Sequence, residues 1–521
     1  MALKSKRVFA CVFIAIVLFF TVQNAALIIE PLEAALQAED GPDFVRFRDD
    51  VQAAFQSDKF FMKTAFVDLN GLASRLMGKH VINETIVLNN GMLAFDNEEP
   101  YPMEELAGHM TGVHHVLAQM GIEFLYVQMP HKVDADGALL PAGTQSSANR
   151  NADLLLECLD ESGVRRLDLR EGLSRSAQEI ERYFFRTDHH WNFDGAFIGF
   201  NRIVQTLADM LGDSTDLSMY TDAANWEKRI RETPFLGSQG IRVGRYAAGL
   251  DRMEYYVPGF ETDMSCMIHE RRSGVHADFE RALIRDAGTP RQGGAYMTDA
   301  YTVYIGSDYR LVSHRNEHAP VKKRILLIKD SFSLPVQSFM STIYAEIDVM
   351  DKRYFRECSI VEYVLRTQPD AVILAASPTT FGEAFYYDYG DEAEERIRAD
   401  MAQHVPVIGQ QDVSITDSGC VLHEGFQADA VYTLSFEDVL PADGTLDFLT
   451  ASLVEPQSGR HVYSWVFDLQ YDRANGGFDW TFRTPAEHAE ELQLMLYAGQ
   501  GDEPSRESAL VEGVKLWKGA L

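Results

Sequence analysis

Cysteine is scarce in this chain: five residues in 521, Cys11, Cys158, Cys266, Cys358 and Cys420, with no C-x-x-C pair among them. That excludes a zinc-finger type of site and a dense disulfide framework, and leaves open a bridge among the last four. Positive charge is short as well. The 47 Lys and Arg face 78 Asp and Glu, a net charge of −31, and such a surface repels a phosphate polymer, so no nucleic-acid partner is expected. Long low-complexity tracts are missing, and 46% hydrophobic with 24% charged residues is the composition of an ordinary folded protein.

One apolar run stands out. Lys4, Lys6 and Arg7 precede an uncharged stretch from Val8 to Ile29. Its purely apolar part, Val8 to Phe20, has the length of a signal-peptide core, while the whole run would reach about 33 Å as a helix, enough for a bilayer. Gln23 and Asn24 fall where a small residue is wanted before a cut after Ala25 or Ala26. Residues 1–30 are therefore expected to be an uncleaved signal anchor of a single-pass cell-membrane protein. The basic flank on the cytoplasmic side puts everything after Glu30 outside the membrane. A chain of this length holds two or three domains, since single cores seldom grow far beyond about 250 residues.

Hydrophobic periodicity predicts helix from about Ala34 to Leu76, then a hairpin over Glu84 to Phe95 around Asn89-Asn90-Gly91. Helix and strand then alternate: helix over Glu105 to Met120, strand over Ile122 to Gln128, helix over Asn149 to Ser162, strand over Val164 to Leu169. Short apolar strands recur at Arg324 to Ser331, Glu346 to Asp351 and Asp370 to Ser377. Such strands joined by helical crossovers imply an α/β domain with a parallel sheet covered on both faces. Residues 204–319, mixed and dotted with glycine, read as an insertion. After His404, runs such as VYTLSF, LDFLTASLV, HVYSWVFDL, FDWTFRT and LQLMLYAG at about ten-residue spacing predict a C-terminal β-sandwich over 405–521.

Two motifs carry chemistry. Thr187-Asp188-His189-His190-Trp191-Asn192 sets a carboxylate two positions from an imidazole, an acid–base unit in which Asp188 orients His190. On these residues alone a structural or metal-binding cluster stays open. The second motif is Ile325-Leu326-Leu327-Ile328-Lys329-Asp330-Ser331-Phe332, an apolar strand ending on Asp-Ser. Groups at the carboxyl ends of such strands face the ligand crevice. There Ser331 would expose its hydroxyl and offer its backbone N–H as an oxyanion donor, although Asp330 and Ser331 fit a plain helix cap equally well.

DHHW at 188–191 and IKDSFSLPVQSFMSTIYAEIDVMDKRYF at 328–355, in this order, resemble the signature blocks of the bacterial DHHW proteins, SGNH-like relatives of the alginate O-acetyltransferases AlgJ and AlgX. The segment FQSDKFFMKTAFVDLNGLASRLMGKHVINETIVLNNGMLAF resembles the N-terminal part of that family, so the likeness runs from about residue 43 to 385. The resemblance implies an SGNH-hydrolase-like catalytic domain over 43–400, with Ser331 as nucleophile, His190 as general base and acid, and Asp188 as orienting carboxylate. It also implies an extracytoplasmic O-acetyltransferase of a cell-wall or secreted polysaccharide, fed with acetyl groups by a membrane-bound O-acyltransferase and needing neither cofactor nor metal. A carbohydrate acetylesterase and a non-catalytic glycan-binding or assembly protein are the alternatives. Lys329 departs from the Gly-Asp-Ser of classical SGNH enzymes, and no second oxyanion donor is assignable; Asn316 is near in sequence alone. Trp191, Lys132, His131 and Asp330 are candidate substrate contacts, the middle two because Met129-Pro130-His131-Lys132 resembles a strand-end turn of the same relatives. Trp465, Trp480 and Trp517, with Tyr432, Tyr463 and Tyr497, make the C-terminal region a candidate carbohydrate-binding, jelly-roll-like domain.

Overall fold

The computed structural model describes residues 13–36 except 16, 44–56, 60–95, 101–271, 273–285, 296–316, 318–355, 359–367 and 369–381, with discontinuous pieces between 404 and 519. The basic flank Lys4, Lys6 and Arg7 lies outside them. No single helix among the described residues is long and apolar enough to cross a membrane. The pair Phe13–Gln23 and Ala26–Leu36, bent by 46°, meets that length and composition together. The helix expected from Ala34 to Leu76 is divided into Ala26–Leu36, Phe44–Gln56 and Lys63–Leu76, and Met62 enters the last of these at φ 60°.

A hairpin follows in which Thr85–Val87 pairs with Leu93–Phe95. Gly91 takes φ 80° at its turn, a conformation open to glycine without a Cβ penalty. The centre of the molecule is an eight-stranded sheet. Its strands in chain order are β1 (Glu123–Gln128), β2 (Arg166–Asp168), β3 (Met264–Ile268), β4 (Ser273–Ala277), β5 (Leu311–Arg315), β6 (Val321–Lys329), β7 (Tyr344–Met350) and β8 (Ala371–Ala376). Across the sheet the order is β2-β1-β8-β6-β7-β5-β3-β4. The first five are parallel and correspond to the five strands expected from the apolar runs.

The last three are antiparallel, so the sheet is mixed rather than wholly parallel. They come from the stretch 204–319, whose sequence shows no strand-and-crossover rhythm. That stretch also forms an antiparallel ribbon of Trp226–Phe235 with Asp251–Pro258.

Alternation along the strands divides the core in two, as a period of two requires. Leu125, Val127, Ile325, Leu327, Ile347, Ile373 and Ala375 pack on one face with residues of helices Phe193–Leu211 and Leu334–Met340. Phe124, Tyr126, Leu326, Ile328, Val372 and Leu374 pack on the other with helices Met103–Gln119, Ala148–Glu161 and Ile360–Thr367. Both faces of the central strands β1, β8 and β6 are thus dry over most of their length, which explains their apolar runs.

Between 404 and 519 the described elements are antiparallel strands and one 3₁₀ turn, Ala489–Glu491. Four form one sheet, His404–Ile408, Lys515–Gly519, Val431–Phe436 and Phe478–Arg483. Gln493–Gln500 and Phe448–Glu455 lie at the centre of a second. Tyr432 is buried. The side chains of Trp465, Trp480, Trp517, Tyr463 and Tyr497 lie outside what is described. Cys158 and Cys266 are free thiols, and Cys358 lies outside the described residues.

Candidate active site

Strand β6 ends at Lys329, and the chain turns through a single 3₁₀ turn, Ser331–Ser333, into helix Leu334–Met340. Asp330 caps that turn: one carboxylate oxygen accepts the Phe332 N–H at 3.0 Å. The other accepts the Ser377 N–H at 2.7 Å and the Thr380 hydroxyl at 3.2 Å, beyond the end of β8. Asp330 is fully buried, and its two oxygens fix the turn on which Ser331 stands.

The Asp-His-His-Trp segment lies between helix Ala177–Tyr183 and helix Phe193–Leu211. A bridge between Phe184 and Trp191 and a hydrogen bond from Phe185 N–H to His190 O close the loop. Asn192 then caps the second helix by accepting the Gly195 N–H at 3.0 Å. The loop presents His190 between two partners. Its Nδ1 lies 2.6 Å from Asp188 Oδ1 and its Nε2 lies 2.7 Å from Ser331 Oγ. With Nδ1–H donated to the carboxylate, Nε2 is left to accept the serine proton. Asp188 also accepts the His190 N–H at 3.0 Å and, through Oδ2, the Ser238 N–H at 2.8 Å. Burial alone would raise its carboxyl, but the adjoining His190 holds it well below the usual carboxylate range.

Several further residues complete the arrangement. The Tyr301 ring stacks on His190 with centroids 3.7 Å apart and planes 2° from parallel, and its hydroxyl donates to Phe332 O at 3.1 Å. Trp191 Nε1 donates to the same carbonyl at 3.0 Å. Asp251 accepts the Arg186 and Thr187 N–H groups at 2.7 and 2.6 Å. Gly237 lies so close that a Cβ there would come within 2.4 Å of Asp188 Cβ. Lys132 is buried and donates to the carbonyls of Asp188 (2.6 Å) and Arg186 (3.0 Å) and to Gln239 Oε1 (3.1 Å). Burial pushes its pKa down to about 7, against the pull of Asp251 and Asp188.

The residues expected at the chemistry, Asp188, His190 and Ser331, are thus brought together. Three of the four expected to touch substrate are turned to other work: Trp191, Lys132 and Asp330 are buried with their polar atoms bonded to protein groups. His131 is buried beside them, with its backbone N–H 3.3 Å from Ser174 Oγ. Asn316 is spent elsewhere, on Ser341 O and His318 N–H. Lys329, which stands where classical SGNH enzymes have glycine, is buried against Asp308 and Asp351, and Arg353 pairs with both carboxylates. Asp188, His189 and His190 offer donor atoms within 4.8 Å of one another, a spacing a metal ion can use. In the arrangement found, His190 Nδ1 is bonded to Asp188 and His189 Nδ1 to Ser238 Oγ at 2.6 Å.

Residues 92–230 match the family model described as the SGNH hydrolase-like domain of the acetyltransferase AlgX. Over this stretch the chain is similar to an SGNH hydrolase-like domain of the AlgX kind. The matched stretch includes Asp188 and His190 and ends before Ser331. Among solved structures, PatB1 of Bacillus cereus with a sulfonyl adduct aligns at 19% identity, covering 60% of this chain and 100% of that one, with a TM-score of 0.48. A DHHW family protein from Eubacterium siraeum aligns at 17% identity over 61% of this chain and 96% of that one, TM-score 0.44. AlgX of Pseudomonas aeruginosa aligns at 14% identity over 84% and 94%, TM-score 0.35. At these scores the likeness is one of outline and carries no functional conclusion. No curated protein matches the chain.

Proposed function

We propose that this chain is an extracytoplasmic serine O-acetyltransferase acting on a cell-wall or secreted polysaccharide. The observation that carries the reading is the unbroken line of hydrogen bonds from Asp188 through His190 to Ser331, with the hydroxyl standing at the end of a parallel strand. His190 takes the proton as Ser331 Oγ attacks the acetyl carbonyl of a donor, and Asp188 stabilises the imidazolium. The Ser331 N–H lies at the turn where the carbonyl oxygen gathers charge. His190 returns its proton to the leaving group, which leaves acetyl-Ser331. A sugar hydroxyl, losing its proton to His190, then attacks the ester and carries the acetyl group away, and His190 passes that proton to the departing Ser331 Oγ. Trp191, Lys132 and Asp330 act on this sequence by holding the loop and the turn.

The AlgX match supports acetyl transfer as the reaction. The donor in this reading is a membrane-bound O-acyltransferase in the same membrane, with residues 1–30 as the anchor that keeps the two together. The catalytic domain spans 43–400. Residues 405–521 form a β-sandwich that holds the glycan, a division supported by the all-antiparallel strands after residue 404.

Acetyl transfer from an activated ester to an oligosaccharide tests this. Ser331→Ala in the full chain is expected to lose about 10⁴–10⁶ in rate. Unchanged glycan acetylation by that variant would leave the chain a non-catalytic glycan-binding protein. Acetate release that proceeds equally with and without sugar would make it an esterase, water serving as the acceptor.

A further inference from the structure

Helix Lys63–Leu76 is inside out. A helix on the surface of a soluble domain turns its apolar stripe inward and its polar side to water. Here Asp68, Gly71 and Ser74, three apart and so on one side, are the buried residues. Asp68 accepts the Arg245 N–H at 2.7 Å, and a Cβ on Gly71 would run into the Val243 carbonyl. The other side carries Met62, Phe66, Leu69, Leu72, Leu76 and Met77, all exposed, with Leu69 at 61% and Leu76 at 81%. A contiguous exposed apolar patch of this kind marks a surface that meets something other than water.

What it meets is indicated by the patch beside it. Phe66 and Phe61 sit against Phe19 and Phe20 of the N-terminal apolar pair, with ring centroids 5.3–5.7 Å apart. Asn24 ties the two further by accepting the Phe61 N–H at 2.9 Å. The exposed face of Lys63–Leu76 thus continues the exposed apolar face of the segment that meets the length and composition of a bilayer span. Lys63 begins the helix and Lys79 is exposed just past its end, as suits an amphipathic helix lying among lipid headgroups.

We propose that helix Lys63–Leu76 lies in the membrane–water interface with Phe66, Leu69, Leu72 and Leu76 in lipid, and so fixes the orientation of the catalytic domain on the bilayer. The buried side of this helix packs on the segment around Val243 and Arg245, which leads back to Ser238, the residue whose N–H holds Asp188. The site is thereby attached to the membrane surface by a short path of rigid contacts as well as by the anchor. The proposal rests on the reading of the N-terminal segment as a membrane anchor and is independent of the triad.

The test uses the full chain reconstituted into protein-free vesicles of phosphatidylcholine and phosphatidylglycerol with brominated or plain acyl chains. Leu69→Trp adds a fluorophore on the patch, Leu76→Trp repeats it about two turns further along the same face, and Met219→Trp is an exposed control on another helix. An interfacial helix sinks its apolar face about 5–10 Å, so the emission added at the first two positions is expected to fall about twofold with brominated lipid, and that added at the control to stay unchanged. A chain that floats with the vesicles but shows no extra quenching at Leu69→Trp and Leu76→Trp overturns the docking alone, and gives the patch to a protein partner. A chain that does not float overturns the docking and the anchor together.

Discussion

Ser331 stands at the end of β6 and is fixed largely by its neighbours in sequence, whereas Asp188 and His190 sit in a loop fixed by residues 50 to 111 positions away. On the serine side a strand, a capping aspartate and a one-turn 3₁₀ helix follow one another without a gap. On the histidine side Lys132 comes from the turn after β1, Gly237 and Ser238 from a short helix start, Asp251 from the edge ribbon and Tyr301 from a 3₁₀ turn. In the proposed reading the nucleophile is therefore delivered mainly by local structure, secured by the tie of Asp330 to Ser377 and Thr380, and the base is delivered by the packing of the whole surrounding layer. Catalysis should be more sensitive to changes far from the chemistry on the second side than on the first.

Four substitutions or conditions would break or sharpen that contrast. The largest effect is expected for Asp188→Asn, which keeps the shape of the loop but removes the charge and the tautomer control; acetyl transfer should drop by about 10⁴ with the fold intact. A loss of less than about tenfold in the transfer assay would remove Asp188 from the mechanism. Next comes Lys132→Met. It strips the hydrogen bonds from three acceptors in and behind the loop, which should cost about 2–3 kcal/mol in urea unfolding and lower the rate ten- to a hundredfold through misplacement of about an ångström. Asp330→Ala is the matching change on the serine side. Loss of the cap and of the tie to Ser377 should cost about 1–2 kcal/mol, with a smaller fall in rate than Lys132→Met because β6 still delivers the turn. If Asp330→Ala proves the slower enzyme of the two, local delivery of Ser331 is wrong.

The same contrast decides what could be read from the sequence. The five parallel strands and the place of Ser331 at a strand end follow from apolar runs and one Asp-Ser pair, because burial on both faces writes itself directly into consecutive residues. Asp188 and His190 are visible as a pair, since they are two residues apart. Nothing in the sequence ties them to Ser331, 141 positions from His190, and the resemblance to the DHHW proteins made that link. Lys132 reads as a candidate substrate contact at a strand end because lysine is seldom buried, and its three acceptors, two backbone carbonyls and the Gln239 amide oxygen, lie far off in sequence. Tyr301 lies in the stretch 204–319, where neither period nor motif marks it. Of the sheet strands in that stretch, β3 and β5 are short and buried almost throughout, so they lack the alternation that announces a half-exposed strand, and β4 is a short exposed edge.

His189 offers the smallest and most specific test of the histidine side. Its side chain is 24% exposed, its Nδ1 is bonded to Ser238 Oγ and its ring lies 3.7 Å from that of His190. Burial, then the neighbouring His190, push its pKa from 6.5 down to about 3, with Asp188 pulling the other way. Below about pH 6.5 the unfolded chain binds a proton here that the folded chain refuses, so stability present above that pH is lost as the pH falls toward 3. Solvent at the exposed edge of the ring weakens the effect, to about 1 kcal/mol between pH 6.5 and 5. Urea unfolding at these two pH values should therefore show the native chain losing about 1 kcal/mol more than His189→Gln, whose amide keeps the bond to Ser238 and cannot take the proton. Equal losses would mean that His189 is already solvated in the folded chain, and that the base is held by Asp188 and Tyr301 without a dry neighbour on its other side.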